Sequence, residues 1–145
     1  MLALQWAPGQ QAEAKTTRIL VVDDEPSIVR SLRRAFSRLR PTWQIDVAQS
    51  GAVALRHLAS GDYDAVVTDL EMPGISGSEL LGRVQHQYPT VKRLIHSSRP
   101  QADNDPVAGD AAQAVFTKPA PPLALVERIE RLLGLQTSAP VQTSG

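Results

Sequence analysis

The chain has 145 residues, fifteen lysines and arginines against fifteen aspartates and glutamates, 42% hydrophobic residues and no cysteine. This length supports one domain with one substantial core, zero net charge gives no general field to hold nucleic acid or an anionic lipid surface, and the missing cysteines exclude disulfides, thiolate metal sites and thiol catalysis together. Met1 to Gln11 lacks a basic start, and no stretch approaches the roughly eighteen apolar residues of a membrane span, so a soluble cytoplasmic protein is expected.

In chain order, residues 1–17 are rich in Gln, Ala and Thr and read as a flexible N-terminal tail. Ile19 to Val22 is the first run of strand length. Pro26 then opens a helix whose apolar residues Ile28, Val29, Leu32, Ala35, Phe36 and Leu39 fall on one stripe. A second strand is expected over Ile45 to Ala48, and a second helix from Gly51 to Ala59, between Ser50 and Gly61. Ala65 to Thr68 is the third strand. The third helix starts at Ser76, where Glu79 completes a capping box, and buries Leu80, Leu81 and Val84. Leu94 to His96 is the fourth strand. After it, Pro100, Asp103, Asn104, Asp105, Pro106 and Gly109 leave room only for a shortened fourth helix or an irregular loop. Ala114 to Thr117 is the fifth strand, and the helix following Pro121 and Pro122 buries Leu125, Val126, Ile129, Leu132 and Leu133. Residues 135–145 read as a flexible C-terminal tail. Strand runs alternating with amphipathic helices over 18–134 predict an α/β fold, a doubly wound five-stranded parallel sheet.

In such a sheet, ligands bind beyond the carboxyl ends of the strands, where strand order reverses. Asp23, Asp24 and Glu25 end the first strand, Asp69 the third, Ser97 and Ser98 the fourth, and Lys118 the fifth. Each alone reads equally as a helix cap or a solvated loop residue; their convergence on one edge does not. Three carboxylates held a few ångströms apart would raise one another's pKa unless a cation intervened. A divalent ion and Lys118 together neutralise them. Oxygen ligands without His or Cys point to Mg²⁺, whose customary guest is a phosphoryl group. Asp69 is then a candidate nucleophile and Ser97 a hydroxyl donor.

Val21-Val22-Asp23-Asp24-Glu25, Asp69-Leu70-Glu71-Met72-Pro73-Gly74, Ile95-His96-Ser97-Ser98 and Thr117-Lys118-Pro119, in this order, resemble the receiver domain of bacterial two-component response regulators. The resemblance covers 18–134. It implies a flavodoxin-like (βα)5 fold with strand order 2-1-3-4-5 and Asp69 as phosphoacceptor, fed by a sensor histidine kinase or a histidine phosphotransfer protein. It also implies Asp24 as a direct Mg²⁺ ligand, Asp23 as one acting through water, and the Glu71 backbone carbonyl completing the set with Asp69. Ser97, Ser98 and Lys118 would surround the phosphoryl group, and the bond before Pro119 is often cis in this family. At Glu71 and Arg99 the family places side chains that tune turnover of the acyl phosphate, and opposite charges there could pair across the mouth of the site.

Two features depart from the family pattern. The switch position three residues before the lysine is Val115 in place of an aromatic ring, and Phe116, one residue later, should face the other way and join the core. The irregular stretch after Ser98 falls where the family has the helix through which many receivers signal. Other signals carry less. Gly77 to Gly82 has phosphate-loop spacing, but Arg83 and Val84 stand where Lys and Ser or Thr are required, so helix interior is the reading. His57 and His86 read as helix-surface residues, and His96 as packed near its strand end. Arg30, Arg33, Arg34, Arg38 and Arg40 read as a solvated face, with a kinase-docking surface as the alternative. Trp6 and Trp43 have no basic interleaving that would suggest base stacking.

The expectation is a single-domain response regulator that is phosphorylated on Asp69 and acts on a separate effector protein, a switch and not an enzyme. The alternatives are a small Mg²⁺-dependent phosphatase with an aspartyl-phosphate intermediate, loosely imitated by Asp23 and Glu25, and a degenerate receiver acting as a binding module.

Overall fold

The structure is a computed structural model and describes residues 15–99 and 110–135. Five strands, β1 (Arg18–Val22), β2 (Gln44–Ala48), β3 (Ala65–Thr68), β4 (Lys92–Ser97) and β5 (Ala114–Thr117), form one parallel sheet in the order β2-β1-β3-β4-β5. Four helices are described: α1 (Pro26–Leu39), α2 (Gly51–Ser60), α3 (Gly77–Gln87) and α4 (Pro122–Leu133). This is the doubly wound five-stranded parallel sheet that the sequence predicts. The expectation for a shortened fourth helix falls mostly on 100–109, and the two tails on 1–14 and 136–145; these lie outside the described residues. Lys15 and Thr17, assigned to the first tail, are tied down: Lys15 Nζ lies 2.7 Å from Asp64, and the Thr17 carbonyl accepts from Gln44 N–H at 2.8 Å.

The strands read as continuous apolar runs because both faces of the sheet are covered. Alternation sends Leu20, Val22, Val66 and Ile95 to one side, against Ala54 and Leu58 of α2 and Leu80, Leu81 and Val84 of α3. Ile19, Val21, Val67 and Leu94 go to the other, against Val29, Leu32 and Phe36 of α1 and Leu125, Val126 and Ile129 of α4. Trp43, just ahead of β2, is 9% exposed and belongs to this second cluster. Ser50 and Ser76 cap α2 and α3 by accepting from Val53 N–H and Glu79 N–H, each at 3.1 Å. The Glu79 carboxylate bonds Arg83 one turn on, at 2.9 Å.

Four expectations need correcting. β4 begins at Lys92, two residues before the apolar run: Arg93 is buried because its guanidinium donates to the Ala111 and Val91 carbonyls at 2.6 and 3.0 Å. Arg30, Arg33, Arg34 and Arg38 are exposed as expected, but Arg40 is not part of that solvated face. It donates through Nε and Nη2 to both oxygens of Glu130 on α4, at 2.6 and 2.9 Å. His57 is half-buried, its Nδ1 lying 3.3 Å from the Tyr63 hydroxyl. That hydroxyl donates to Asp46, and burial with this bond pushes Tyr63 up to about 12. Phe116 is only partly buried; it packs at the margin of the α1/α4 cluster under the Arg128 guanidinium, 5.5 Å from its ring centre.

The Arg40–Glu130 pair joins α1 to α4 with side chains only 16% and 6% exposed. Removing one member strands a buried charge. Glu130→Leu is expected to cost about 3 kcal/mol in urea unfolding, and adding Arg40→Met to recover much of it.

Candidate functional site

The site lies at the carboxyl edge of the sheet, at the ends of β1, β3, β4 and β5. Asp23 leaves β1 with its N–H on the Ala48 carbonyl at 3.1 Å, and its Oδ1 accepts from Glu25 N–H at 3.0 Å. The first bond ties the backbone to β2 and the second fixes one oxygen of the buried carboxylate. Asp69 leaves β3 with its N–H on the Val22 carbonyl at 3.0 Å, which sets it beside Asp23. Its Oδ1 accepts from Leu70 N–H at 2.8 Å, and its Oδ2 faces Lys118 Nζ at 3.3 Å.

Lys118 arrives from β5, its N–H on the Ser97 carbonyl at 2.9 Å and the following bond to Pro119 cis. Its Nζ lies 2.7 Å from Asp23 Oδ2, so one ammonium touches both buried acids. Burial opposes the charge on Lys118. The hydrogen bond to Asp23 and the fields of Asp23 and Asp69 outweigh it and hold the group above the ordinary lysine range. His96, buried at the end of β4, accepts Ala120 N–H on Nε2 at 3.3 Å and so steadies the turn after Lys118. Burial, joined by the Lys118 charge, lowers its pKa against the opposing pull of Asp23 and Asp69. His96 is therefore a neutral packing group, as its sequence position suggests.

Asp23, Asp24 and Asp69 each offer a carboxylate oxygen within 4.8 Å of the others. Three negative charges against one ammonium leave a local charge of about −2, which a divalent cation would cancel. The donors are all hard oxygens with no imidazole among them, a set that fits Mg²⁺.

The remaining candidates stand around this group. Ser97 is 1% exposed, and its hydroxyl accepts from Arg99 N–H at 3.2 Å. Ser98 is exposed. Arg99 Nε approaches Glu71 Oε2 at 3.5 Å, although both side chains are mostly in solvent, 77% and 61% exposed. Val115, which stands where the resemblance places an aromatic switch residue, is 48% exposed. Residues that sequence reasoning passed over include Thr68, whose hydroxyl donates to the Asp69 carbonyl at 2.9 Å, and Gly77, the first residue of α3. A poor helix former directly after a capping serine was the available sign of Gly77.

The fold is a doubly wound α/β domain with an acidic carboxyl edge, and comparison with known proteins gives its family. The family model for the response regulator receiver domain matches residues 19–130, and the chain belongs to that family, a signalling switch of two-component systems. Among curated relatives, the transcriptional regulatory protein TcrA of Mycobacterium tuberculosis is 36% identical over 126 residues, covering 86% of this chain and 47% of that protein. The transcriptional regulatory protein ResD of Bacillus subtilis is 30% identical over 121 residues, covering 83% of this chain and 50% of ResD. The chain thus spans about half the length of these relatives. The response regulator TrrA of Thermotoga maritima, solved in complex with Mg²⁺ and BeF, is 34% identical with a TM-score of 0.73, covering 81% of this chain and 99% of that one. The signal receiver domain of an HD domain-containing protein from Pseudomonas fluorescens is 25% identical with a TM-score of 0.76, covering 83% and 96%. No described helix is long and apolar enough to cross a membrane.

Titration with MgCl₂ is expected to raise the melting temperature by mass action, and Asp24→Asn to abolish most of that rise. In metal-free buffer Asp24→Asn should melt no lower than the parent, because it removes one of three repelling charges.

Proposed function

We propose that the chain is a cytoplasmic receiver that accepts a phosphoryl group on Asp69 from a phosphohistidine of a sensor kinase or a phosphotransfer protein, and that the modified form changes which effector protein it binds. The observation that carries this reading is the joint placement of Lys118 on Asp23 and Asp69, at 2.7 and 3.3 Å, beside the three-carboxylate group. A second support is the Thermotoga relative, solved with Mg²⁺ and BeF.

In the transfer, an Asp69 carboxylate oxygen attacks phosphorus, the P–N bond to the donor imidazole breaks as the P–O bond forms, and the departing imidazole nitrogen takes a proton from solvent. Asp23, Asp24, Asp69 and the Glu71 carbonyl would hold Mg²⁺, which when bound supplies the positive charge that makes a phosphoryl group tolerable among carboxylates. Lys118 neutralises Asp69 before the reaction and pairs with a phosphoryl oxygen after it. The Ser97 hydroxyl exchanges its Arg99 amide contact for donation to the phosphoryl group, and exposed Ser98 leaves the acceptor open to its donor. With Val115 at the switch position, the relay runs through this loop without an aromatic ring turning inward. The exposed Arg30, Arg33, Arg34 and Arg38 on α1 offer the kinase a cationic docking face.

Incubation with acetyl phosphate and MgCl₂, followed by intact-mass measurement, should show one labile phosphoryl group that Asp69→Asn abolishes. An adduct that persists in Asp69→Asn overturns the assignment. Turnover of many phosphate esters without an adduct would make the protein a phosphatase instead. Glu71 and Arg99 close over the site and hinder the attacking water. An exposed pair is worth up to ~1 kcal/mol, so Arg99→Ala should shorten the half-life of the phosphorylated form by about two- to fivefold. An unchanged or longer half-life removes that role.

A further inference from the structure

Gly77 opens α3 directly after the Ser76 cap, with the backbone of the candidate phosphoacceptor where a side chain would start. A methyl group added there would sit 2.0 Å from the Asp69 carbonyl oxygen and 2.7 Å from the Leu70 α-carbon, where ordinary contact begins at 3.4 Å. Gly77 N–H also donates to the Leu70 carbonyl at 2.8 Å. From the β3 side, the buried Thr68 hydroxyl donates to the same Asp69 carbonyl at 2.9 Å. The peptide held between them joins Asp69 to Leu70. Its N–H donates to Asp69 Oδ1 at 2.8 Å, which sets the rotation of the carboxylate and leaves Oδ2 toward Lys118.

We propose that Gly77 and Thr68 are positioning residues that clamp the Asp69–Leu70 peptide and, through its N–H, aim the Asp69 carboxylate. The inference rests on the reading of Asp69 as phosphoacceptor and extends it to residues that touch neither metal nor phosphoryl group. Reactive groups must be held within ~0.5 Å of their working position, and a misplacement of ~1 Å can cost on the order of a hundredfold in rate. A methyl at Gly77 needs about 1.4 Å of relief to reach ordinary contact with the Asp69 oxygen. Leu80, Leu81 and Val84 are 0% exposed and anchor α3 in the core, so the strain falls on the Asp69–Leu70 peptide. Gly51 supplies a control. A methyl there would meet the Ile75 side chain at 2.7 Å, crowding the same loop without touching the Asp69 backbone.

The test follows phosphorylation of the full chain by acetyl phosphate over a range of MgCl₂, for the parent, Gly77→Ala, Thr68→Val and Gly51→Ala. Intact mass gives the rate at saturating Mg²⁺ and the half-saturating concentration, and thermal melting gives the stability of each. Gly77→Ala should be at least ~10-fold slower at saturating Mg²⁺ and Thr68→Val about three- to tenfold slower, while Gly51→Ala stays within about twofold of the parent at a comparable loss of melting temperature. A Gly77→Ala rate within twofold of the parent overturns the proposal, as does a Gly51→Ala protein slowed to the same extent. If Gly77→Ala does not fold, Thr68→Val decides: a folded protein at the parent rate overturns the clamp, and a slowed one supports it. A parent protein that takes up no phosphoryl group removes the phosphoacceptor reading itself, and the clamp with it.

Discussion

Crowding of like charge governs this molecule. Asp23 and Asp69 are almost wholly buried at the ends of two neighbouring strands, with Asp24 beside them, and a single ammonium from Lys118 lies against both buried acids. Carboxylates in that arrangement repel one another and have lost most of their water. The architecture holds them there because β1 is hydrogen-bonded in register to both neighbours: Asp69 N–H of the β3 end on Val22 of β1, and Asp23 N–H of the β1 end on Ala48 of β2. Strand pairing, a cooperative property of the whole sheet, is what overcomes the local repulsion. The result is a sheet edge that is electrostatically incomplete, in the sense that a divalent cation would make good.

Much of this was legible in the residues. Apolar runs of four or five residues separated by amphipathic stretches define a parallel sheet covered on both faces, and the buried apolar residues of α1, α3 and α4 fall on the stripes their spacing marks, although Leu132 and Leu133 at the end of α4 are only partly buried. The polar strand ends then meet because parallel strands carry their carboxyl termini to one edge. Pairwise contacts between remote residues left less trace. Arg40 looks like one more exposed arginine until Glu130, ninety positions later, is brought beside it. Arg93 hides the start of β4 because its burial depends on carbonyls at Val91 and Ala111, which no local pattern announces. Trp43, which precedes β2, gives no periodic signal of its place in the core.

At the site the division is similar. Residue types and their order pick out Asp23, Asp24, Asp69 and Lys118, since each chemistry needs its own side chain. Gly77 and Thr68 act through backbone geometry: one contributes the absence of a side chain, the other a hydroxyl turned inward onto a carbonyl. Apart from a glycine placed directly after a capping serine, such contributions leave no local sign, and what they do appears only once helix and strand are set against each other. The same holds for His96, whose Nε2 fastens the turn that follows Lys118.

The sheet separates the interior into two apolar compartments. Leu70 and Met72, which follow Asp69, are seated in the one closed by α2 and α3, whereas Ala120, just past Lys118, is seated in the one closed by α1 and α4. The acid and its lysine are thus each moored to a different layer of the molecule. Sliding of one layer relative to the other, by as little as a few tenths of an ångström, alters the gap between carboxylate and ammonium. Repacking far from the edge, in either compartment, therefore becomes a means of retuning the pocket with every polar side chain left in place.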